Sequence, residues 1–286
     1  MALSSYHATT NLNHCWRPAP LIQLSVLWHA AGAITLMALP SWWPWVLVAL
    51  AGNHLVLTAA VLWPRGRWLG PNLIRLPASA AGRAEICLTF DDGPDPEVTP
   101  QVLDLLDRYA AKASFFCIGE KVTAYPETVR EIVRRGHGVE NHSYDHPAAF
   151  AFYGMSGLRR EVELTQATIA GITGRAPLFF RAPAGFRSPL LDPVLAKCGM
   201  RYVSWTRRGY DAVRSDPVRV LQRLTRGLGA GDVLLLHDGA RARTDAGAPV
   251  VLAVLPALLD QLAARGLKSV SLSTAFSGTS PAALLS

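Results

Sequence analysis

The chain has 286 residues, about two domains' worth of sequence and ample for a buried core. Half of the residues are hydrophobic and 17% are charged, below the roughly 25% of an average globular chain, so the composition argues against extended disorder and admits a membrane segment. The net charge of +7 belongs mainly to residues 1–84, which hold five arginines and no Asp or Glu, whereas residues 85–286 hold 23 basic and 21 acidic residues. This near balance predicts no nucleic-acid partner for the main body of the chain.

Two apolar runs follow an N-terminal tail, residues 1–20. Residues 21–39 and 45–63 are each 19 residues long without a formally charged side chain, just enough to cross a hydrocarbon core of roughly 30 Å. The connector PSWWPW between them contains prolines, which cannot continue a helix, and tryptophans, which suit the membrane–water interface. We predict that residues 21–63 form a transmembrane helical hairpin. A cleaved signal peptide, two buried helices of a soluble domain and a monotopic, re-entrant anchor are the alternatives.

Arginines predict the orientation of this hairpin. Arg17 precedes the first run, and Arg65 and Arg67 follow the second, whereas the connector has none. Because arginine favours the cytoplasmic side, the main domain is predicted to lie at the inner (cytoplasmic) membrane of a bacterial-type cell, facing the cytoplasm. Four scattered cysteines without C-x-x-C spacing are typical of free or buried thiols and agree with a reducing compartment: Cys15, Cys87, Cys117 and Cys198.

After a basic linker, residues 64–84, strand-like and helix-like segments alternate over residues 85–275, and residues 276–286 form a C-terminal tail. The predicted strands fall near residues 85–90, 113–118, 137–141, 178–181, 201–205, 232–237 and 268–272. This alternation predicts parallel strands joined by right-handed crossovers, and about seven such units predict a barrel or a strongly curved sheet. Chemistry in such folds gathers at the carboxyl ends of the strands.

The first strand ends in TFDDGP, which contains Asp91 and Asp92, and the third leads into HSYDH, which contains His142 and His146. An isolated pair of aspartates before Gly-Pro is commonly a solvated turn, and two histidines can simply lie at the surface. Histidines four residues apart share a face if the segment is helical, however, and can then reach one metal ion. With Asp92 they would form a set that leaves coordination positions open, which is typical of a catalytic metal site.

Three further motifs follow at the predicted ends of later strands. They are RAPAG (residues 181–185), a tryptophan and an aspartate with five residues between them (Trp205 and Asp211), and LLLHD (residues 234–238). Each is weak alone, because an aspartate is often a helix cap and a histidine after a strand is often a core residue. Together, at successive strand ends, they indicate a functional site.

The series TFDDGP, HSYDH, RAPAG, Trp205-x5-Asp211 and LLLHD resembles, in this order, the five motifs of the NodB-homology polysaccharide deacetylases, carbohydrate esterase family 4. The resemblance covers about residues 85–275 and leaves the N-terminal hairpin out. It implies an α/β fold, a deformed (β/α)7 barrel, in agreement with the independent strand count. It also implies a hydrolase that removes an N-acetyl or N-formyl group from an amino sugar.

For the catalytic residues, the resemblance implies that Asp92, His142 and His146 bind a divalent metal, usually zinc, and that Asp91 is the general base. Such a metal polarises the amide carbonyl and lowers the pKa of bound water to about 7 in favourable sites. A carboxylate can then complete the deprotonation of that water.

The resemblance further implies that Arg181 holds Asp91 in place, and that His237, tuned by Asp211, protonates the leaving nitrogen. The oxyanion would also meet a backbone N–H near Ala184. Two positions depart from the family pattern, because Ala184 and Ala212 stand where the motifs usually carry aromatic residues. The substrate pocket is therefore expected to be reshaped.

The leading functional hypothesis is an N-deacylase of a carbohydrate, possible substrates being a polysaccharide or a lipid-linked sugar, as in the family's undecaprenyl-phosphate aminoarabinose deformylase branch. An extracytoplasmic peptidoglycan or chitooligosaccharide deacetylase is the first alternative. A non-haem iron oxygenase could use the same ligand set, and an inactive, membrane-tethered sugar-binding module is the non-enzymatic alternative. Neither the substrate glycan nor the oligomeric state can be read from the sequence.

Overall fold

The computed structural model describes residues 16–239 and 242–277. Among them Cys87, Cys117 and Cys198 are free thiols, as predicted, and Cys15 lies outside the described residues.

Two long helices come first, α1 (Pro20–Ala38) and α2 (Trp43–Val61). They contact each other along the hairpin, where Asn53 Nδ2 donates to Ser25 Oγ at 2.9 Å and Trp28 Nε1 donates to the carbonyl of Ala49 at 3.2 Å. Only 6% and 11% of the two apolar windows are buried, so most of their side chains face outward. Both helices are long and apolar enough to cross a membrane, and they are too exposed to be core helices of the domain that follows.

Eight parallel strands form the sheet of the main domain within the described residues. They are β1 (Glu85–Gly93), β2 (Ala113–Cys117), β3 (Gly138–Asn141), β4 (Phe179–Phe180), β5 (Arg201–Tyr202), β6 (Arg207–Arg208), β7 (Val233–His237) and β8 (Lys268–Ser269). The order along the sheet is β5-β4-β3-β2-β1-β7-β6, and β8 pairs with the first two residues of β1. The central strand β1 therefore carries its residues into the middle of the domain.

The sheet must curve, because its two end strands are neighbours in sequence. Tyr202 of β5 and Arg207 of β6 are five residues apart, a span of at most about 18 Å. The ends of a flat seven-strand sheet would lie roughly 29 Å apart, at about 4.8 Å per strand. The parallel, strongly curved sheet confirms the predicted α/β architecture of the deformed-barrel type.

Helices cover the outside of this sheet. They are α3 (Ala78–Gly82), α4 (Val98–Arg108), α5 (Gly119–Ala124), α6 (Pro126–Arg134), α7 (Met155–Thr173), α8 (Leu191–Lys197), α9 (Pro217–Thr225), α10 (Val250–Ala264) and α11 (Leu272–Phe276). The main core lies between β1 and helices such as α4 and α10, where Ile86, Leu88 and Phe90 pack with Leu103 and Leu258. Because strand side chains alternate between faces, Thr89 and Asp91 point to the inner side of the sheet.

The segment interpreted from sequence as a basic linker lies along the sheet. Leu73 forms a parallel bridge with Val203, and the N–H of Leu76 donates to the carbonyl of Gly231 at 2.9 Å. Ala80 is completely buried. The chain between the hairpin and β1 is thereby attached to the sheet on both sides of its curve.

Candidate active site

The two adjacent aspartates lie at the end of the central strand, where the strand is irregular. Asp91 is paired with His237 of β7, but the register with β2 shifts between Asp91 and Gly93. Asp92 is the extra residue and has a left-handed backbone with φ of 70°. This bulge re-aims the second side chain, so that both carboxylates line one cavity of about 210 Å³ instead of opposite faces of the sheet.

Asp92, His142 and His146 are brought together as a possible metal site. Asp92 Oδ1 lies 3.4 Å from His142 Nε2 and 3.1 Å from His146 Nε2, and one ligand atom from each residue lies within 4.8 Å of the others. Residues 142–146 form a loop and not the helix that would have aligned the histidines. Positive φ values at Ser143 and His146, 64° and 50°, turn the two rings toward the same point.

The hydrogen bonds around this cluster fit a metal ion. His142 Nδ1 lies 2.8 Å from the carbonyl oxygen of Arg181 and must donate to it, which leaves the lone pair of Nε2 facing Asp92. Burial alone would raise the pKa of Asp92, but its close contacts with the imidazoles of His142 and His146 hold that pKa well below its usual range. Two imidazole nitrogens and an ionised carboxylate are a common ligand set for a catalytic divalent metal.

Asp91 is held by a fully buried arginine. Arg181 Nη1 donates to Asp91 Oδ1 at 2.6 Å and to Thr89 Oγ1 at 2.9 Å, while Nη2 donates to the carbonyl of Ser204 at 2.9 Å. The guanidinium also stacks 4.1 Å above the ring of Phe116. One oxygen of Asp91 is thus fixed by Arg181, and the other, Oδ2, lies 3.8 Å from His142 Nε2, facing the possible metal site.

His237, on the strand next to Asp91, is oriented by Asp211. Asp211 Oδ1 lies 2.9 Å from His237 Nδ1, and Asp211 Oδ2 accepts the backbone N–H of His237 at 2.7 Å. Burial would lower the pKa of His237, but the charge of Asp211 and its hydrogen bond outweigh burial, so the pKa is raised. The Nε2 atom is left for the cavity, in the position of a proton donor.

The structure therefore brings all seven predicted site residues together. Asp91, Asp92, His142, His146 and His237 line the cavity, and Arg181 and Asp211 lie directly behind it. Ala184 and Ala212, the two departures from the motifs, also line the cavity.

Sequence reasoning missed two contributors. Glu161 of α7 accepts the backbone N–H groups of Tyr144 and Asp145, between the two histidines, at 2.9 and 3.0 Å. Arg208 lines the cavity beside Trp205. Arg208 lies inside the fourth motif and could have been noticed there, whereas nothing in the sequence near Glu161 indicates its contact with a loop about 16 residues earlier.

Comparisons with known proteins agree with this arrangement. The profile of the family described as polysaccharide deacetylase matches residues 78–203. A peptidoglycan-N-acetylglucosamine deacetylase of Bacillus cereus is 32% identical over 193 residues, 66% of this chain and 86% of the relative. A chitooligosaccharide deacetylase of Azorhizobium caulinodans is 34% identical over 193 residues, 64% of this chain and 90% of the relative. The chain belongs to the polysaccharide deacetylase family.

Solved structures place this polysaccharide deacetylase in carbohydrate esterase family 4. A peptidoglycan N-acetylglucosamine deacetylase in complex with an N-hydroxybenzamide has a TM-score of 0.64 and 27% identity, over 71% of this chain and 91% of that one. A mutant of a family 4 pseudoenzyme, with restored enzymatic activity, has a TM-score of 0.63 and 25% identity, over 71% of this chain and 70% of that one. The family thus contains deacetylases and a pseudoenzyme.

Proposed function

We propose that this polysaccharide deacetylase is a metal-dependent hydrolase that removes an N-acyl group, acetyl or formyl, from an amino sugar. The observation that carries the proposal is the single cavity that Asp91 and His237 line together with the Asp92, His142 and His146 cluster. A base and an acid in one cavity suit hydrolysis of an amide, in which water adds to the carbonyl carbon and the C–N bond breaks.

Each residue of the cavity would have its own role in this reaction. Asp92, His142 and His146 would hold a divalent metal, zinc, which would supply a Lewis acid and lower the pKa of bound water. Asp91, fixed by Arg181, would take the proton of the attacking water. Orientation by an arginine leaves one carboxylate oxygen of Asp91 free for that proton.

The leaving nitrogen needs a proton, because a free amide anion is a very poor leaving group. His237 is suited to give it, since the raised pKa keeps the imidazole protonated at higher pH than an ordinary histidine. Asp211 holds the Nδ1 side of the ring, so Nε2 would be the donating atom. The backbone at Ala184, which lines the same cavity, would offer an N–H to the oxyanion.

The proposal has two further parts, which are the side of the membrane on which the catalytic domain lies and the glycan on which it acts. We propose α1 and α2 as a membrane hairpin, and the arginines at its ends favour a cytoplasmic domain. The relatives named above act on peptidoglycan and chitooligosaccharides, and peptidoglycan lies outside the cytoplasmic membrane, so likeness to them favours the opposite side. A reporter fused after Ser286, active only in the periplasm or only in the cytoplasm, decides between the two.

The function is tested with purified full-length protein in detergent. N-acetylglucosamine tetramer, a peptidoglycan fragment and polyprenyl-phosphate-linked N-acetylglucosamine are offered, and released acetate and deacetylated product are measured by mass spectrometry. Asp91→Asn should lower kcat by about 10² to 10⁴ fold. Asp104→Asn, at an exposed surface pair with Arg135, is the matched control and should leave kcat unchanged.

Unchanged turnover in the Asp91→Asn protein would contradict the proposal. Binding of sugar without turnover and without a stoichiometric metal would instead favour an inactive sugar-binding module. Oxygen-dependent turnover with bound iron would favour an oxygenase.

A further inference from the structure

A second, larger cavity adjoins the catalytic cavity. It has a volume of about 380 Å³, and its walls contain three aromatic rings and five arginines but no Asp or Glu. The arginines are Arg65, Arg207, Arg208, Arg223 and Arg226. Trp205 and Arg208 line both cavities, so the two form one continuous groove.

Most of this positive charge is not neutralised by the protein. Arg207 is paired with Asp232 at 2.6 Å and also donates to the carbonyls of Arg226 and Gly227. Within residues 16–239 and 242–277, the other four arginines have no carboxylate oxygen within 4.0 Å. Like charges gathered in one concave surface repel each other and create a strongly positive potential there.

Arg208, at the junction of the two cavities, is one of these four arginines. Its guanidinium lies over the rings of Trp205 and Tyr210, at 5.2 and 4.9 Å. Its Nε atom is buried and has no hydrogen-bond partner within the described residues. Stacking fixes the guanidinium plane while leaving N–H donors for a ligand.

Stabilisation of a helix terminus accounts for only some of the five arginines. Arg223 and Arg226 lie at the C-terminal end of α9, where cations interact favourably with the helix dipole. Arg65 and Arg208 come from elsewhere in the chain and gain nothing from that dipole. Three separate segments thus supply the basic walls, which indicates a site for an anion.

The cavity also begins where the hairpin ends. Trp63, Pro64 and Arg65 follow α2 directly and form one wall. Asn72 Nδ2 donates to the carbonyl of Pro64 at 3.0 Å, Ser204 Oγ donates to the same carbonyl, and Arg65 Nη1 donates to the carbonyl of Thr206 at 3.3 Å. The end of α2 is therefore attached to the cavity wall, and a membrane-spanning α2 would hold the cavity at the level of the lipid phosphates.

We propose that the arginine cavity binds the phosphate of a lipid-linked amino sugar and directs its N-acyl group into the catalytic cavity. This inference rests on the proposed function and narrows its substrate class. Guanidinium groups bind phosphate oxygens through paired, charge-assisted hydrogen bonds. The phosphate would sit near Arg65 and Arg223, the lipid would remain in the membrane beside α2, and the sugar would pass Arg208 and Trp205.

The test measures binding separately from catalysis. Full-length Asp91→Asn protein in phosphatidylcholine nanodiscs is titrated with polyprenyl-phosphate-linked N-acetylglucosamine, with N-acetylglucosamine 1-phosphate and with the neutral tetramer. The lipid-linked compound should bind most tightly, and rising salt should weaken it. Arg65→Gln and Arg223→Gln should each weaken that binding about tenfold, the usual range for a lost hydrogen bond to a charged group.

Arg219→Gln is the matched control, because Arg219 lies on the same helix but is paired with Asp216 outside the cavity. It should leave the dissociation constant unchanged, and thermal unfolding checks that every variant is folded. Equal binding of the neutral tetramer, or variants that bind like the parent protein, would overturn the inference. Equal affinity for soluble N-acetylglucosamine 1-phosphate would overturn the requirement for a lipid.

A further arm separates the substrate's phosphate from phospholipid headgroups. Nanodiscs containing phosphatidylglycerol should leave the lipid-linked sugar bound, and its displacement would assign the cavity to bulk headgroups instead. Deacetylation by the parent protein is measured in parallel. Phosphate binding without any turnover contradicts the proposed function alone, whereas turnover of the neutral tetramer without phosphate binding contradicts this inference alone.

Discussion

Asp91 and Arg181 form a buried ion pair at the centre of the curved sheet, with 2.6 Å between Asp91 Oδ1 and Arg181 Nη1. Arg181 is completely buried, and carbonyls of Val203 and Ser204 accept its other N–H groups. A charge in this position is tolerated because each nitrogen of the guanidinium has a hydrogen-bond acceptor. The pair thus links the stability of the inner sheet to the orientation of the proposed base.

Removing the arginine should therefore be costly. In Arg181→Met, Asp91 remains buried without a counter-charge, and the free energy of unfolding should fall by about 3–5 kcal/mol. Urea unfolding at neutral pH measures the change. On α6, Arg130 is paired with the exposed Glu127. In Arg130→Met the free energy of unfolding should therefore fall by less than about 1 kcal/mol. Equal losses in the two variants would show that the buried pair contributes no more to stability than the exposed pair.

Asp211 should set the alkaline limit of activity. The proposed acid, His237, must carry its proton, and attraction to Asp211 raises its pKa against the effect of burial. In Asp211→Asn this attraction is lost, so the alkaline limb of the kcat profile should move to lower pH, with at least about tenfold loss at alkaline pH. The kcat profiles of the parent protein and of Asp104→Asn should coincide. If the alkaline limb does not move in Asp211→Asn, that limb reports the titration of another group.

The sequence predicted the parts of the fold and site that depend on local pattern. The sequence predicts the apolar strands around residues 85–90, 113–118 and 232–237, and since parallel strands end on one edge, the motifs that follow them are expected to meet. The structure confirms the α/β sheet. It also places Asp92, His142 and His146 within reach of one another, while their roles stay predictions.

What the sequence did not reveal depends on tertiary contacts. The bulge at Asp92 is a backbone irregularity of a paired strand, and no residue type in the sequence predicts it. Strand β6 has two residues and exists only because β7 lies beside it. The loop that joins His142 to His146 is held by Glu161 from a separate helix, and the spacing of the histidines, which share a face only if the segment is helical, does not indicate that contact.

Metal content is the direct test of the proposed ligands. The full-length protein should contain about one equivalent of zinc by elemental analysis, and His142→Ala should lose it. A metal at a hundred times its dissociation constant should stabilise the folded state by about 2.7 kcal/mol, so a chelator should lower the Tm of the parent protein. His54→Ala, on α2, is the control and should keep its metal. A parent Tm insensitive to chelator would argue against a metal site here.

Glu140 should make stability depend on pH. Burial raises its pKa to about 8, although backbone N–H groups of Phe179 and Leu178 oppose the shift. The folded state therefore favours the protonated form. This contribution is complete below the ordinary pKa of about 4.5 and is lost as pH rises through about 8.

The parent protein should thus lose on the order of a few kcal/mol of unfolding free energy between about pH 5 and pH 9 from this residue. Glu140→Gln keeps an oxygen that can accept the same N–H groups but does not ionise, so its stability should fall less over that range. Urea unfolding at the two pH values measures the difference. Parallel pH dependence in both proteins would show that Glu140 is not the source.

Glu161 should act on the metal site through the loop that carries the histidines. Its buried carboxylate accepts the N–H groups of Tyr144 and Asp145, and so holds a loop whose backbone has positive φ at Ser143 and His146. Without this support the two rings would no longer be fixed toward one point. Residues that orient metal ligands typically change metal affinity by about 10 to 100 fold when removed.

We therefore expect Glu161→Ala to weaken zinc binding by about 10 to 100 fold, measured against a competing chelator. Glu161→Gln retains an acceptor oxygen for the same N–H groups and should lose less. Glu163→Ala, two residues along α7 and paired only with Lys197 at the surface, is the control and should bind zinc like the parent protein. A lower Tm with unchanged zinc affinity in Glu161→Ala would mean that this carboxylate stabilises the loop without positioning the ligands.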